Sequence, residues 1–289
     1  MDRGGWLRHA YADTAVVTQV NDGAAAGAAG ERWASCSASA PSIVFRMLDM
    51  LDLRAGHRVL EIGTGTGWNA ALVAHRLGAG RVVSVEVDPV LAMRAEACLR
   101  VILVPWESPW LCYGLLRLTV DGYGGASGSF FPYSAFMLMR GQRTDLRIYR
   151  DVVRERHVPV ESATSVSPWA VAGKDWAAPF AVGLQLPGVW RAWHDEPGVD
   201  GVARRLWVAT TDAGSWAAVD WDGGGSDRFT VWEHGPRRLW REVEGAHAWW
   251  RGVGCPGPGR FGVTIAPDGT YVPWLDTPDR PVPVAVAAG

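Results

Sequence analysis

Val59-Leu60-Glu61-Ile62-Gly63-Thr64-Gly65-Thr66-Gly67-Trp68-Asn69 is a short apolar run that breaks into three alternating glycines and resumes as a helix-forming segment. Glycine turns the chain tightly from strand to helix and lets a ligand approach the backbone with no Cβ in the way. The amides that open the following helix, Asn69 to Leu77, then face the ligand and suit its carboxylate end. Val82 to Val87 reads as a second strand, so the unit is βαβ. Glu86 lies at the end of that strand, about twenty residues beyond the glycines, where a carboxylate can accept both hydroxyls of a ribose. The expectation is an α/β domain that binds a nucleoside cofactor; the alternative for the same glycines is a structural turn.

The acid inside the first strand refines the choice of cofactor. A carboxylate at Glu61 repels the pyrophosphate of a dinucleotide but accepts from the ammonium of a methionine moiety, which favours S-adenosylmethionine over NAD. Its structural alternative is a helix-capping or ion-paired residue. The expected cofactor set is therefore Glu61, Gly63, Thr64, Gly65, Gly67 and Glu86.

Upstream, Asn21 to Gly30 is Ala/Gly-rich and reads as a mobile loop, with ordered structure starting later. From Pro41, the positions Ile43, Val44, Met47, Leu48 and Leu51 recur at helical spacing in a helix that ends before Gly56. Downstream, Pro89 opens a helix to about Leu99, Val101 to Val104 is a third apolar strand, and Leu115 to Val120 with Ser129 to Leu138 form a hairpin around Asp121-Gly122 and Gly124-Gly125.

The composition then changes. Polar residues from Gln142 to Ser167 read as a linker, and twelve of the seventeen tryptophans fall between Trp169 and Trp274. Arg205 to Thr210, Ser215 to Trp221 and Arg228 to Trp232 predict a meander. A helix from Pro236 buries Leu239, Val243, His247 and Trp250, and Phe261 to Ile265 pairs with Tyr271 to Trp274 about Pro267-Asp268-Gly269. The tryptophans are read as core anchors, with a peptide-binding groove as the alternative.

A formal net charge of -2 provides no global field for nucleic acid or an anionic membrane. No apolar run spans a bilayer and no secretory signal opens the chain, so a cytoplasmic protein is expected. Cys36, Cys98, Cys112 and Cys255 show neither disulfide nor zinc spacing, His234 and His247 no ligand spacing, and no metal is expected.

VLEIGTGTGWNAAL and SVEVDP resemble motif I and the following acidic strand of the protein L-isoaspartyl O-methyltransferase family, and Ser37-Ala38-Ser39-Ala40-Pro41 resembles its Thr-Ile-Ser-x-Pro segment. Tyr113 to Val120, Ala126-Ser127-Gly128, Phe136 to Arg143, and the later stretches GPRRLWREVE, AWW, RFGVTIAPDG and WLD are similar to a subgroup that accompanies ATP-grasp ligases in graspetide maturation.

The resemblance implies a Rossmann-like class I S-adenosylmethionine-dependent methyltransferase over 1–143, a linker over 144–167, and a Trp-rich, mainly β (α+β) C-terminal domain over 168–289. It implies methylation of an aspartyl or isoaspartyl carboxylate, with a ribosomal precursor peptide or a protein as substrate and an ATP-grasp ligase as a further partner; nucleic acid and membrane are not partners. Ser39 matches the family's active-site serine. On local grounds two roles stay open for it: donating a hydrogen bond to the acceptor carboxylate, or capping the helix ahead of Pro41.

The chain also departs from the family. Between Arg100 and Val101 it lacks about 50 residues, the size of two strand–helix units, so a truncated sheet is expected. A right-handed return from the Pro89 helix to the far side of the first strand is then unavailable. Either that helix changes face or the strand at Val101 pairs elsewhere. A catalytically impaired relative that binds a precursor peptide or partner enzyme is the second functional reading.

Overall fold

A computed structural model describes residues 12–21, 34–63, 66–78, 80–85, 101–121, 123–131, 147–173, 175–196 and 198–285. By internal contacts the chain divides into two compact units, Met1–Val104 with Arg117–Ser127, and Pro105–Leu116 with Gly128–Gly289.

The first unit opens on two strands that the sequence did not announce. β1 (Val16–Val20) pairs antiparallel with β2 (Ala34–Ala38), Val16 opposite Ala38 and Val20 opposite Ala34. Ala-Ser-Cys-Ser-Ala has no alternation of large apolar and polar side chains, which is why β2 leaves no periodic signal. Of the mobile loop expected from Asn21 to Gly30, all but Asn21 lies outside the described residues.

α1 (Pro41–Met50) forms as read, with Pro41 in its first turn and Val44 buried. Both its ends are satisfied from a distance in sequence. Asp13 Oδ1 accepts the Ser42 amide at 2.9 Å, and Arg117 Nε donates to the Met50 carbonyl at 2.7 Å.

β3 (Val59–Ile62), α2 (Trp68–Leu77) and β4 (Val82–Val85) make the expected βαβ unit, the strands parallel and in register from Val59/Val82 to Ile62/Val85. The helix expected from Pro89 and the junction residue Arg100 lie outside the described residues.

The third strand expected at Val101 to Val104 is present as β5 (Val101–Ser108). It is twice as long as read, and it does not join β3 and β4, which form a two-stranded sheet; its neighbour is β6 (Leu111–Val120). Only Pro109 and Trp110 separate the two, and so short a connection suits a hairpin, whereas a parallel neighbour needs a crossover of a dozen residues or more. The strand therefore pairs elsewhere. β7 (Ala126–Phe131) follows β6 as expected, through a turn in which Asp121 Oδ1 accepts the Tyr123 and Gly125 amides at 2.7 and 3.0 Å. The rest of that run, Pro132 to Leu138, lies outside the described residues.

In the second unit, residues 147–167 of the segment read as a linker carry secondary structure. A π-helical turn at Ile148–Val152 buries Ile148 and Val152, and Val160–Thr164 forms β8. β8 is an edge strand with four of its five residues exposed, so its sequence, Val-Glu-Ser-Ala-Thr, reads like a loop.

α3 (Pro168–Ala172), α4 (Ala177–Gln185) and β9 (Val189–Asp195) follow, none of them anticipated. The expected meander is present as β10 (Arg204–Thr210), β11 (Trp216–Trp221) and β12 (Phe229–His234), and the antiparallel sheet runs β8-β12-β11-β10-β9. α5 (Leu239–Gly252) buries Leu239, Val243, His247 and Trp250 as read, and Trp240 and Ala246 besides. Its first turn is held by β12: Glu233 Oε1 accepts the Trp240 amide at 2.8 Å. β13 (Phe261–Ile265) and β14 (Tyr271–Leu275) are the expected hairpin and complete a second sheet, β14-β13-β7-β6-β5.

Core packing accounts for Trp110, Trp207, Trp216, Trp240, Trp250 and Trp274, each at most 7% exposed. On one face of the meander, Trp207, Ala209, Trp216 and Ala218 form a cluster with Ile148 and Val152 of the π-helical turn. At the rim of that cluster His157 stacks on His234, with ring centroids 3.9 Å apart. His157 Nδ1 accepts the Trp216 indole N–H at 3.1 Å and the Arg154 amide at 3.3 Å, while His234 Nδ1 donates to the Val158 carbonyl.

Burial first, then His234, Arg156 and Arg154, hold His157 below its ordinary pKa. A histidine depressed in the folded state binds fewer protons there than when unfolded, so stability falls as pH drops from the ordinary value near 6.5 toward the folded one. The melting temperature of the protein should fall more between pH 7.5 and 5.5 than that of His157→Gln. Equal falls would show that the stack does not sense protons.

Candidate functional site

The site read from the sequence is centred on the turn between β3 and α2. Glu61 is the third residue of β3 and stands opposite Ser84 of β4, whose hydroxyl donates to Glu61 Oε2. Among the described residues the carboxylate neither caps a helix nor sits in an ion pair, and its partner is a serine on the adjacent strand. Sequence reasoning overlooked Ser84. Its partner becomes visible only once the parallel register is known, because nothing local links residues 23 positions apart.

Gly63 has φ +86° and Gly67, the residue before the helix, φ +75°, both in the left-handed region where a side chain is strained. A Cβ built at either position meets nothing within 4 Å, so the space beside the backbone at both glycines is open. The same open space lies beside Gly56, Gly78 and Gly80, so at Gly63 and Gly67 it admits a ligand without itself pointing to one. Thr64, Gly65 and Glu86, the other expected cofactor residues, lie outside the described residues.

Ser39 sits in the two-residue connection between β2 and α1 and is partly buried. It does not cap the helix. The N-cap is Ala40, whose carbonyl accepts the Ile43 and Val44 amides at 3.0 and 3.2 Å, and the side-chain cap comes from Asp13. The Ser42 amide holds the Asp13 carboxyl below the usual carboxylate range. Of the two readings for Ser39, the cap is thus taken by another residue.

Among the described residues one face of the parallel pair is only partly covered. Ile62 and Val83, which share that face by register, are 61% and 47% exposed, whereas parallel sheets ordinarily have both faces covered. Among the described residues no group of histidine, cysteine, aspartate and glutamate side chains is arranged to hold a metal ion, and no helix is long and apolar enough to cross a membrane.

Residues 2–138 match the model of the protein-L-isoaspartate(D-aspartate) O-methyltransferase family. The match takes in β1 to β7 and stops before the Trp-rich sheet. A protein-L-isoaspartate O-methyltransferase of Archaeoglobus fulgidus is 51% identical over 63 residues, 22% of this chain and 29% of that protein. One from Anaeromyxobacter dehalogenans is 54% identical over 61 residues, 21% of this chain and 28% of that protein. The chain thus spans less than a third of the length of these curated relatives. A solved structure of a protein-L-isoaspartate O-methyltransferase aligns over 94% of this chain and 89% of its own, at 15% identity and a TM-score of 0.41.

Proposed function

We propose that this chain is an S-adenosylmethionine-dependent O-methyltransferase that methylates an aspartyl or isoaspartyl carboxylate of a peptide or protein, in the maturation of a ribosomal peptide of the graspetide class. The observation that carries the reading is the strand–glycine–helix–strand unit with Glu61 at its centre, inside the region that matches the methyltransferase family. The proposal includes a Rossmann-like class I domain with a truncated sheet over 1–143, the Trp-rich domain beyond it, a cytoplasmic setting, and an ATP-grasp ligase as partner.

In this reading the cofactor supplies a methyl group made electrophilic by a sulfonium. Glu61, held by Ser84, would accept from the cofactor's ammonium, Gly63, Thr64, Gly65 and Gly67 would lie along its methionine end, and Glu86 would accept from the ribose hydroxyls. Ser39 donates a hydrogen bond to the acceptor carboxylate. No general base is required, because a free carboxylate has a pKa near 4 and is already an anionic nucleophile at neutral pH. The work left to the protein is to hold that oxygen in line with the methyl carbon.

Calorimetry of the full chain with S-adenosylmethionine, together with mass spectrometry of methyl-ester formation, tests this. Glu86→Ala should weaken cofactor binding about 10- to 100-fold, the range for loss of a charged hydrogen-bond partner. Ser39→Ala should leave cofactor affinity unchanged and lower the rate of ester formation. Unchanged affinity in the first variant removes Glu86 from the site, and normal turnover in the second removes Ser39.

The partly covered face at Ile62 and Val83, and the departure of β5 to another sheet, favour a second reading. In it the chain is a catalytically impaired relative that binds a precursor peptide or partner enzyme. Absence of cofactor binding in the same calorimetry selects it.

A further inference from the structure

Among the described residues, Arg191 is an arginine of the Trp-rich sheet that no aspartate or glutamate pairs. It lies on the edge strand β9, opposite Val208 of β10, and shares a sheet face with Val189, Leu206 and Val208, all fully buried. Its guanidinium stands 5.8 Å from the centroid of the Trp110 ring, and its Nε is buried with no acceptor. Trp110 is itself 2% exposed, wedged against α4 where a Cβ on Gly183 would come within 3.2 Å of it, and its indole N–H is also buried without an acceptor.

Other arginines of the same sheet show what is missing. Arg204 Nε lies 2.9 Å from Asp195, and Arg205 is held by Asp220 at 2.6 Å with Glu196 at 3.7 Å. Among the described residues no aspartate or glutamate pairs with Arg191. Burial alone lowers its pKa to about 10. Arg191 as a whole is partly buried, with its Nε the fully buried atom. A guanidinium drawn even partly out of water is ordinarily matched by an anion, because a cation–π contact of about 0.5–2 kcal/mol does not offset the hydration it gives up.

We propose that Arg191 is the anchor of a carboxylate-binding site whose ligand comes from outside the chain: an acidic side chain or the free C-terminus of a peptide. Two buried donors of neighbouring residues, Arg191 Nε and Trp110 Nε1, await acceptors, and a guanidinium presents a planar fork that a carboxylate matches with two parallel hydrogen bonds. One unpaired positive charge in an apolar setting calls for a single negative charge. Dianionic phosphate leaves a surplus charge to desolvate, so it is the poorer fit. The inference does not rest on the methyltransferase reading.

The test is thermal unfolding of the full chain in sodium chloride and in sodium acetate at equal ionic strength, with sodium phosphate as the comparison. Acetate should raise the melting temperature of the wild type by about 2–4 °C, the shift that a weak ligand gives when present well above its Kd. Arg191→Met should show no rise, and in chloride it should melt near the wild-type temperature, because it removes a partly buried cation that no carboxylate of the described residues pairs. Arg191→Lys, which keeps the charge but not the fork, should give a reduced rise. Equal responses in wild type and variants, or none in either, overturn the proposal. So does a loss of several degrees in both salts for Arg191→Met, which would mean that the fold itself supplies the partner. A larger, Arg191-dependent rise in phosphate overturns the choice of carboxylate.

Discussion

Gly262→Ala is expected to destabilise the β14-β13-β7-β6-β5 sheet by more than about 3 kcal/mol, at the top of the range for overpacking a well-filled site. A methyl group on Gly262 would run into the indole of Trp274 and lie 2.5 Å from the Gly128 carbonyl oxygen. Neither neighbour can yield cheaply. Trp274 is 6% exposed and donates its indole N–H to Thr264 Oγ1 at 3.2 Å, and Gly128 is backbone of β7, a sheet neighbour of β13. Urea unfolding followed by tryptophan fluorescence would measure the loss. A loss below about 1 kcal/mol would mean that Trp274 swings aside and that the close approach of β13 to β7 is dispensable.

Trp207→Ala should cost about 3–5 kcal/mol, the usual toll for emptying a buried aromatic site. Trp207 is 4% exposed on β10, with Trp216 at 5.5 Å and Tyr149 at 5.8 Å between ring centroids. It belongs to the cluster that fastens the Ile148–Val152 turn to the meander. Its removal should therefore also expose the chain near Tyr149, and limited proteolysis around residues 147–158 would register that. A variant that unfolds at the wild-type denaturant concentration would show that the cavity closes by collapse of the turn.

How far these elements can be read in advance depends on what each buries. α5 was legible because Leu239, Val243, His247 and Trp250 repeat at helical spacing with exposed residues between them. α4 was not, because Ala178 to Gln185 are all buried and a helix apolar on every side has no stripe to read. β8 failed for the opposite reason, its exposure at the sheet edge. The βαβ unit was legible from glycines that must occupy left-handed backbone, a demand imposed within a few residues.

Around the site, the local signals held and the long-range ones did not. Gly63 and Gly67 take the conformations that their residue type implies. The partners of Glu61 and of the α1 amides, Ser84 and Asp13, come from chain segments whose proximity is a product of folding. The fate of β5 belongs to the same class: Val-Ile-Leu-Val reads as a strand anywhere, and the short step through Pro109-Trp110 to β6 decides which sheet receives it.

The position of β13 beside β7 has a consequence for synthesis. The hairpin that ends at Phe131 leaves the ribosome long before Phe261, its neighbour's first residue, has been added, and the whole meander with its helices emerges in between. Throughout that interval β7 presents an unpaired edge, open to pairing with another nascent chain. Closure of the sheet requires a contact between remote parts of the polypeptide, whose entropy must be lost before any stabilisation is gained, so this sheet should be the slow step of folding. A chaperone that shields strand edges, or a slower translation rate, would raise the yield of native protein without touching its final stability.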